Sequence, residues 1–423
     1  MNILYISFFV PYPPDKGEKI RAFHQIRYLS REHRVHLACL ITNPNDAAYI
    51  KTLEPYCASI DAAYRNPKIA TVLSGLSLIT GKPFSVGSFY SRELKRKIAQ
   101  RLRSTKFDRI LVFSSSMAQY VRHVSAIPKL IDFSDVYSEL WKLMAGYHPF
   151  PVSWIYGLEG ARLARYEEDI AKTFDHSVFA TEEEARVFKP RARGRYVSAI
   201  PNVVDLDYFS PLANIASNSG APTLLFTGTM DYFPNVDAVR YFCREILPLI
   251  QNHLPSTHFE IVGRCPTRDV HRLAQNLHVT VTGPVTDVRP YLARAALMVA
   301  PFRIARGIQN KVLEAMAAGL PVVGTSVAFQ GLDETRSAGV HVADAPQEFA
   351  LKVIALLKDP ESRRQCVLQA VQYVKRHHQL QDQSDRLSRL LLEVAEGTST
   401  ETATGDAALC IARLEAPGAW PPN

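Results

Sequence analysis

Residues 299–325 read VAPFRIARGIQNKVLEAMAAGLPVVGT. The apolar run ahead of Pro301 suits a buried strand, and helical spacing from about Ile308 puts Val312, Leu313, Met316 and Ala317 on one side. Gly319 falls where a left-handed cap ends a helix, and Pro321 blocks any continuation. Val322 and Val323 then open another buried strand. The first turn of the helix has free backbone N–H groups near Arg303, Arg306 and Lys311, a combination that suits a phosphate. Glu314, one turn beyond Lys311, offers a carboxylate to sugar hydroxyls. Phosphate plus polyol is the chemistry of a nucleotide. The competing reading is a βαβ unit with basic surface decoration.

The same alternation runs outward in both directions. Strands are expected at Asn2–Phe9, Val35–Ile41, Ser59–Tyr64, Arg109–Phe113, Lys129–Phe133 and Ser177–Ala180, with helices at Glu18–Arg31 and Ile155–Lys172. The polar stretch Asn214–Ala221 reads as a linker. A second series follows, with strands at Thr223–Thr227, Phe259–Val262, Val279–Thr282, Leu297–Ala300 and Val322–Gly324, and a helix at Asn235–Ile250. Such alternation argues for α/β architecture: two Rossmann-like domains with parallel sheets, facing across a cleft. The expected units are 1–200, 201–365, a charged helical stretch over 366–394, and a disordered tail over 395–423.

Composition narrows the partners. The chain has 423 residues, 47% of them apolar, with net charge +8 and a pI near 9.1. Nucleotide phosphates, nucleic acid and acidic lipid headgroups all fit that charge. Six scattered cysteines without a Cys-x-x-Cys pair suggest neither a zinc site nor a disulfide framework, and fit a reducing cytoplasm. Ile3–Val10 is apolar but has no basic region before it, so it reads as a strand and not as a signal peptide. No apolar run approaches the ~18 residues of a membrane span.

Glu314 and Ala315–Val323 resemble the nucleotide-sugar signature of GT-B glycosyltransferases of the retaining family 4 type. That signature has two glutamates eight positions apart, followed by Ala-Met-Ala-x-Gly-x-Pro-Val-Val. Arg306 stands where the first glutamate belongs. The Arg-Gly-Ile-Gln-Asn-Lys version is similar to a sugar-transferase subgroup associated with PEP-CTERM/exosortase and exopolysaccharide systems. The similarity extends from the first strand to about Leu392. It implies the GT-B fold, with the last helices crossing back onto the first domain. It also implies a nucleotide-sugar donor held mainly by the second domain, and a glycan acceptor, lipid-linked, at the cytoplasmic membrane face. Transfer would proceed with retention, the leaving β-phosphate assisting the acceptor hydroxyl. No metal is expected, since basic residues and helix N-termini can neutralise the diphosphate, and no cofactor, the nucleotide-sugar being a substrate.

The resemblance assigns donor contacts to Gly17, Gly228, Thr229, Gly263, Gly283, Val285, Gly307, Ile308 and Glu314. For most of these glycines a plain βα turn is the alternative. Related enzymes carry an Arg and a Lys in the loop that here runs from Gly228 to Asp237 and has neither; Arg306 and Lys311 are the expected replacements. Asp132 and Asp135, at a strand end, are candidates to hold the sugar or the acceptor, with helix capping the alternative for Asp135. Ser91–Lys106 is strongly basic around Leu94, Ile98 and Leu102, which suits either a packed surface helix or adhesion to an anionic membrane. Two rival functions stand beside a glycosyltransferase: a nucleotide-sugar epimerase of the same architecture, and a non-catalytic GT-B scaffold. Nucleic-acid binding is disfavoured because the basic residues are not interleaved with aromatics.

Overall fold

Seven strands precede residue 200, and the central ones are apolar on both faces. They are β1 (Asn2–Ser7), β2 (Arg34–Ile41), β3 (Ser59–Tyr64), β4 (Arg109–Phe113), β5 (Lys129–Ser134), β6 (His176–Phe179) and β7 (Tyr196–Ala199). In the computed structural model, which describes residues 1–209, 221–332 and 338–396, they form one parallel sheet in the order β3-β2-β1-β4-β5-β6-β7. Neighbouring residues of a strand enter opposite cores: Leu4, Ile6 and Val112 pack on one face, Ile3, Tyr5 and Leu111 on the other. Burial on both faces is why these strands read as continuous apolar runs. Most of the expected linker and the tail beyond 396 lie outside the described residues.

A second parallel sheet holds β8 (Thr223–Thr227), β9 (His258–Val262), β10 (Val279–Val281), β11 (Leu297–Ala300), β12 (Val322–Gly324) and β13 (Val340–Val342), in the order β10-β9-β8-β11-β12-β13. Its core is rich in phenylalanine, including Phe226, Phe242, Phe259 and Phe349. Strand order reverses between β1 and β4 in the first domain and between β8 and β11 in the second. Ligands of such sheets bind at the carboxyl ends of the strands beside that reversal. The loops there are the Gly17 loop after β1, the Gly228 loop after β8, and residues 301–309 after β11.

Local departures from the sequence reading have physical causes. The helix read from Ile308 begins at Asn310, because Gly307 takes a left-handed φ of 63° and Gln309 is extended. The helix read at Asn235–Ile250 is Phe233–Tyr241, then a π turn over Phe242–Ile246, then Leu247–Gln251. Pro248 has no N–H and its ring excludes a regular turn before it, so the irregularity sits there. The charged stretch near the end is two helices, Pro360–His377 and Leu380–Glu396. The return to the first domain therefore starts at Leu380, not at residue 366. His378 makes the break: its N–H closes the preceding helix on the Val374 carbonyl, its carbonyl accepts from Val204 N at 3.2 Å, and its Nδ1 lies 2.8 Å from the Asn202 carbonyl. Beyond it Leu387 and Leu391 enter the first-domain core. No helix among the described residues is long and apolar enough to cross a membrane.

Candidate functional site

On the second-domain side, Gly228 and Gly263 end adjacent strands and meet backbone to backbone. A Cβ on Gly263 would lie 1.6 Å from the Gly228 carbonyl oxygen. Lys311, in the first turn of the Asn310–Ala317 helix, reaches back over this junction. Its Nζ donates to Asn235 Oδ1 at 2.6 Å and sits 4.7 and 4.9 Å from the ring centroids of Phe226 and Phe302. A Cβ on Gly228 would come within 2.8 Å of that Nζ. Burial brings the Lys311 ammonium down to about 7. Glu314 lies one turn on, its carboxyl pushed up to about 7 by burial and held down in part by Lys311. That carboxyl accepts no hydrogen bond from the described residues. An incoming anion would favour the charged lysine, and incoming hydroxyls would satisfy the carboxylate. Gly283, with φ 72°, faces open space at the end of β10.

The first domain closes on the same helix start. A Cβ on Gly17 would lie 2.6 Å from Asn310 Nδ2, and Asn310 Oδ1 accepts from Asn202 Nδ2 at 2.8 Å. Asp15 pairs with Arg264 at 2.6 Å, and Glu184 with Arg306 at 2.8 Å. Asp135 abuts Gly307 so closely that a Cβ there would be 2.0 Å from its Oδ1. That oxygen is buried without a hydrogen-bond partner, and burial, followed by the nearby Glu184, pushes the carboxyl up to about 8. Beside it Glu18 accepts from the Tyr137 hydroxyl at 2.6 Å, and burial raises its pKa too.

The structure redistributes several expected roles. Asp132 does not reach the cleft. It is fully buried, with Oδ2 accepting from Arg21 Nε (2.7 Å) and Gln25 Nε2 (2.6 Å) and Oδ1 from Ser134 N (2.9 Å). It anchors the Gly17–Leu29 helix to the sheet. Asp135 does not cap a helix: the next one starts at Tyr137 with Val136 in the cap position and no side-chain bond. Arg306 is held by Glu184, and Arg303 by Asp237 and the Tyr241 ring, so Lys311 is the one of the three cations that lies over the Gly228 loop. Ile308 packs toward Gly331, on its own domain, and Val285 packs on the second-domain core. Thr229 joins the loop through its carbonyl, which accepts from Asn235 Nδ2 at 2.9 Å.

Other residues here were not singled out from the sequence. Asn235, Asn310, Glu18 and Glu184 are ordinary polar residues until the fold places them. Arg264 directly follows Gly263; one guanidinium nitrogen bonds Asp15 while Nη2 is buried without a partner. Its place beside a strand-end glycine was the available signal. The basic helix Arg92–Ser104 buries Leu94 and Ile98 in the core, pairs Arg101 with Asp61, and spends Lys97 on Glu93 and the Ala62 carbonyl. Its apolar stripe is thus not free to enter a membrane.

Residues 221–359, the second domain up to the start of the Pro360–His377 helix, match the family described as "Glycosyl transferases group 1". Whole-chain likeness extends to solved structures. Sucrose-phosphate synthase from Thermosynechococcus elongatus superposes with a TM-score of 0.68 at 16% identity, covering 94% of this chain and 100% of that one. Anabaena HepE, solved in complex with UDP-glucose, gives 0.65 at 14% identity, covering 93% and 100%. An α,α-trehalose 6-phosphate synthase from Burkholderia multivorans gives 0.63 at 12% identity, covering 94% and 100%. The chain has the GT-B fold, and the match to group 1 glycosyl transferases falls on its second domain.

Proposed function

We propose that this chain is a glycosyltransferase that moves a sugar from a nucleoside diphosphate sugar to a glycan acceptor with retention. The observation that carries the proposal is the convergence on one spot of Lys311, Glu314, the Gly228–Gly263 junction and, from across the cleft, Gly17. The family match over 221–359 and neighbours solved with UDP and UDP-glucose support the same reading. We place the diphosphate over Gly228, against the Lys311 ammonium and the free amides that open the Asn310–Ala317 helix. Arg264 supplies the second cation, in place of Arg306. Glu314 accepts hydroxyls of the nucleoside ribose, and Asp135 and Glu18 face the sugar and acceptor from the first domain.

The chemistry asked of the protein is positioning and stabilisation of the leaving diphosphate. Lys311 and Arg264 neutralise it as the bond to the sugar breaks, and the β-phosphate oxygen takes the proton of the attacking hydroxyl. The family 4 type, the exopolysaccharide role, metal independence and a lipid-linked acceptor at the cytoplasmic membrane face belong to the same proposal. The family type, the exopolysaccharide role and the acceptor rest on the Arg306–Val323 resemblance, and metal independence on the basic residues and helix N-terminus at the diphosphate.

Thermal shift against a panel of nucleoside diphosphates and nucleotide sugars tests it. A ligand at ~100 times its dissociation constant should stabilise the fold by roughly 2.7 kcal/mol. Glu314→Gln should then weaken the best ligand by about 1–3 kcal/mol in calorimetry. No shift from any member of the panel would remove the donor site, and an unchanged affinity would remove Glu314 from it.

A further inference from the structure

Exposed large apolar side chains gather in one short run of the first domain. Tyr147 is 42% exposed, Phe150 80%, Val152 37%, Trp154 59% and Ile155 37%. Single surface apolar residues are ordinary, whereas a contiguous patch marks an interaction surface. The run is held in place. The His148 ring lies 4.8 Å from that of Tyr156 and 4.4 Å from that of Phe233, and the Tyr147 hydroxyl donates to the Arg303 carbonyl at 3.1 Å. Phe233 and Arg303 belong to the second domain, so the patch sits at the mouth of the cleft.

The adjoining layer has the same character. On the Val152–Thr173 helix, Glu159 lies one turn beyond Ile155 and two beyond Val152. It accepts from Phe84 N at 2.8 Å and Ser85 N at 3.0 Å, while Arg162 donates to the Ser77 carbonyl at 2.9 Å. That face of the helix therefore leads to the Pro67–Thr80 helix, which exposes Ile69 (55%) and Val72 (61%). No Asp or Glu occurs between Glu139 and Glu159, nor between Asp61 and Glu93, a span that carries Arg65, Lys68, Lys82 and Arg92.

We propose that this face docks the protein on an anionic bilayer. Aromatic and aliphatic side chains enter the headgroup region while the flanking lysines and arginines meet acidic headgroups. The two spans carry no carboxylate, and the neighbouring Glu139 and Asp237 are held by Lys142 and Arg303, which selects an anionic surface over a second copy of the chain, since a copy would bring like charge to the same place. The docking surface is thus the Tyr147–Ile155 run and not the stripe of the Arg92–Ser104 helix, which the core has already taken. It sets the cleft mouth at headgroup level. The proposal stands on exposure and charge, independently of which donor the cleft holds.

Vesicle co-sedimentation at low salt tests it, with phosphatidylcholine alone and with added phosphatidylglycerol. Wild type should bind the anionic vesicles, and Trp154 fluorescence should be quenched by brominated lipid. Phe150→Ser with Trp154→Ser should weaken binding roughly tenfold or more, through loss of buried apolar area. Both sites are exposed, so melting temperature and nucleoside diphosphate affinity should stay unchanged. Lys95→Glu with Arg96→Glu, on the basic helix, should retain vesicle quenching. Wild type ignoring anionic vesicles would overturn the proposal. So would a Phe150/Trp154 variant that binds like wild type, or a wild-type dimer that this variant dissolves while vesicle binding is absent.

Discussion

Donor affinity should fall as pH rises above neutrality, and Lys311 sets the amount. An ordinary lysine keeps its proton to about pH 10.5, and burial among Phe226, Phe302 and Gly228 brings this one to about 7. The gap corresponds to roughly 5 kcal/mol of lost hydration that the unliganded pocket does not replace. A diphosphate replaces it by pairing with the charged form. At about pH 7 half of the free molecules carry that charge, and at about pH 8.5 roughly one in thirty does. Apparent affinity should therefore drop roughly fifteenfold over that interval, about 2 kcal/mol. Glu314, at about 7, works in the opposite sense, since hydroxyls prefer its ionised form. It is already half ionised near pH 7, so it returns at most about a factor of two. The net expectation is a weakening of roughly sevenfold. The assay is calorimetry with a nucleotide sugar, whose diester phosphates do not titrate in this range, in buffers of different ionisation enthalpy. Wild type should take up close to one proton on binding at the higher pH. Lys311→Met should bind weakly and without that uptake. A flat wild-type profile, or the same slope in Lys311→Met, would refute the reasoning.

Asp135→Asn should stabilise the fold. The folded carboxyl keeps its proton to about 8 while the unfolded one releases it near 4, so the contribution of Asp135 to stability is fully present in acid and is lost as pH rises through that window. Asparagine has nothing to titrate, and a gain of about 2–4 kcal/mol at neutral pH is expected in denaturant unfolding; a loss would mean that the carboxylate is paired. Arg306→Ala leaves Glu184, which is 2% exposed, without its cation, and should cost about 3 kcal/mol of stability. Equal unfolding midpoints at equal slope would show that Val136 N satisfies Glu184 alone. Gly263→Ala sets a Cβ 1.6 Å from the Gly228 carbonyl, so the end of β8 must move away from Lys311. Nucleoside diphosphate affinity should fall at least roughly tenfold, a free-energy loss of about 1.4 kcal/mol, and titration at wild-type strength would show that the loop absorbs the methyl.

Much of this molecule was decided along the chain. Apolar runs of four to eight residues between helical stretches specify parallel strands, because strands buried on both faces have nowhere to place polar residues. Gly319 and Pro321 end a helix by backbone sterics alone, and Gly319 indeed takes a φ of 76°. Lys311 and Glu314 were legible as a pair because one turn of helix fixes their spacing whatever surrounds them. The edge strands β7 and β13 leave no apolar run to read: neither is buried along its length, and Ser198 and His341 interrupt them.

What tertiary structure alone decided is which charges are free. Arg303, Arg306 and Lys311 look alike in sequence, yet Asp237 and Glu184 hold the first two, and Glu184 comes from the other domain. Asp132 and Asp135 are three positions apart, yet one is locked by Arg21 and Gln25 and the other is left with a bare oxygen beside Gly307. Local spacing sets which residues share a face, because backbone geometry is short-ranged. The partner, the burial and hence the charge state of each side chain depend on segments 66 to 122 residues away, and those distances close only when both sheets and the return helix have packed.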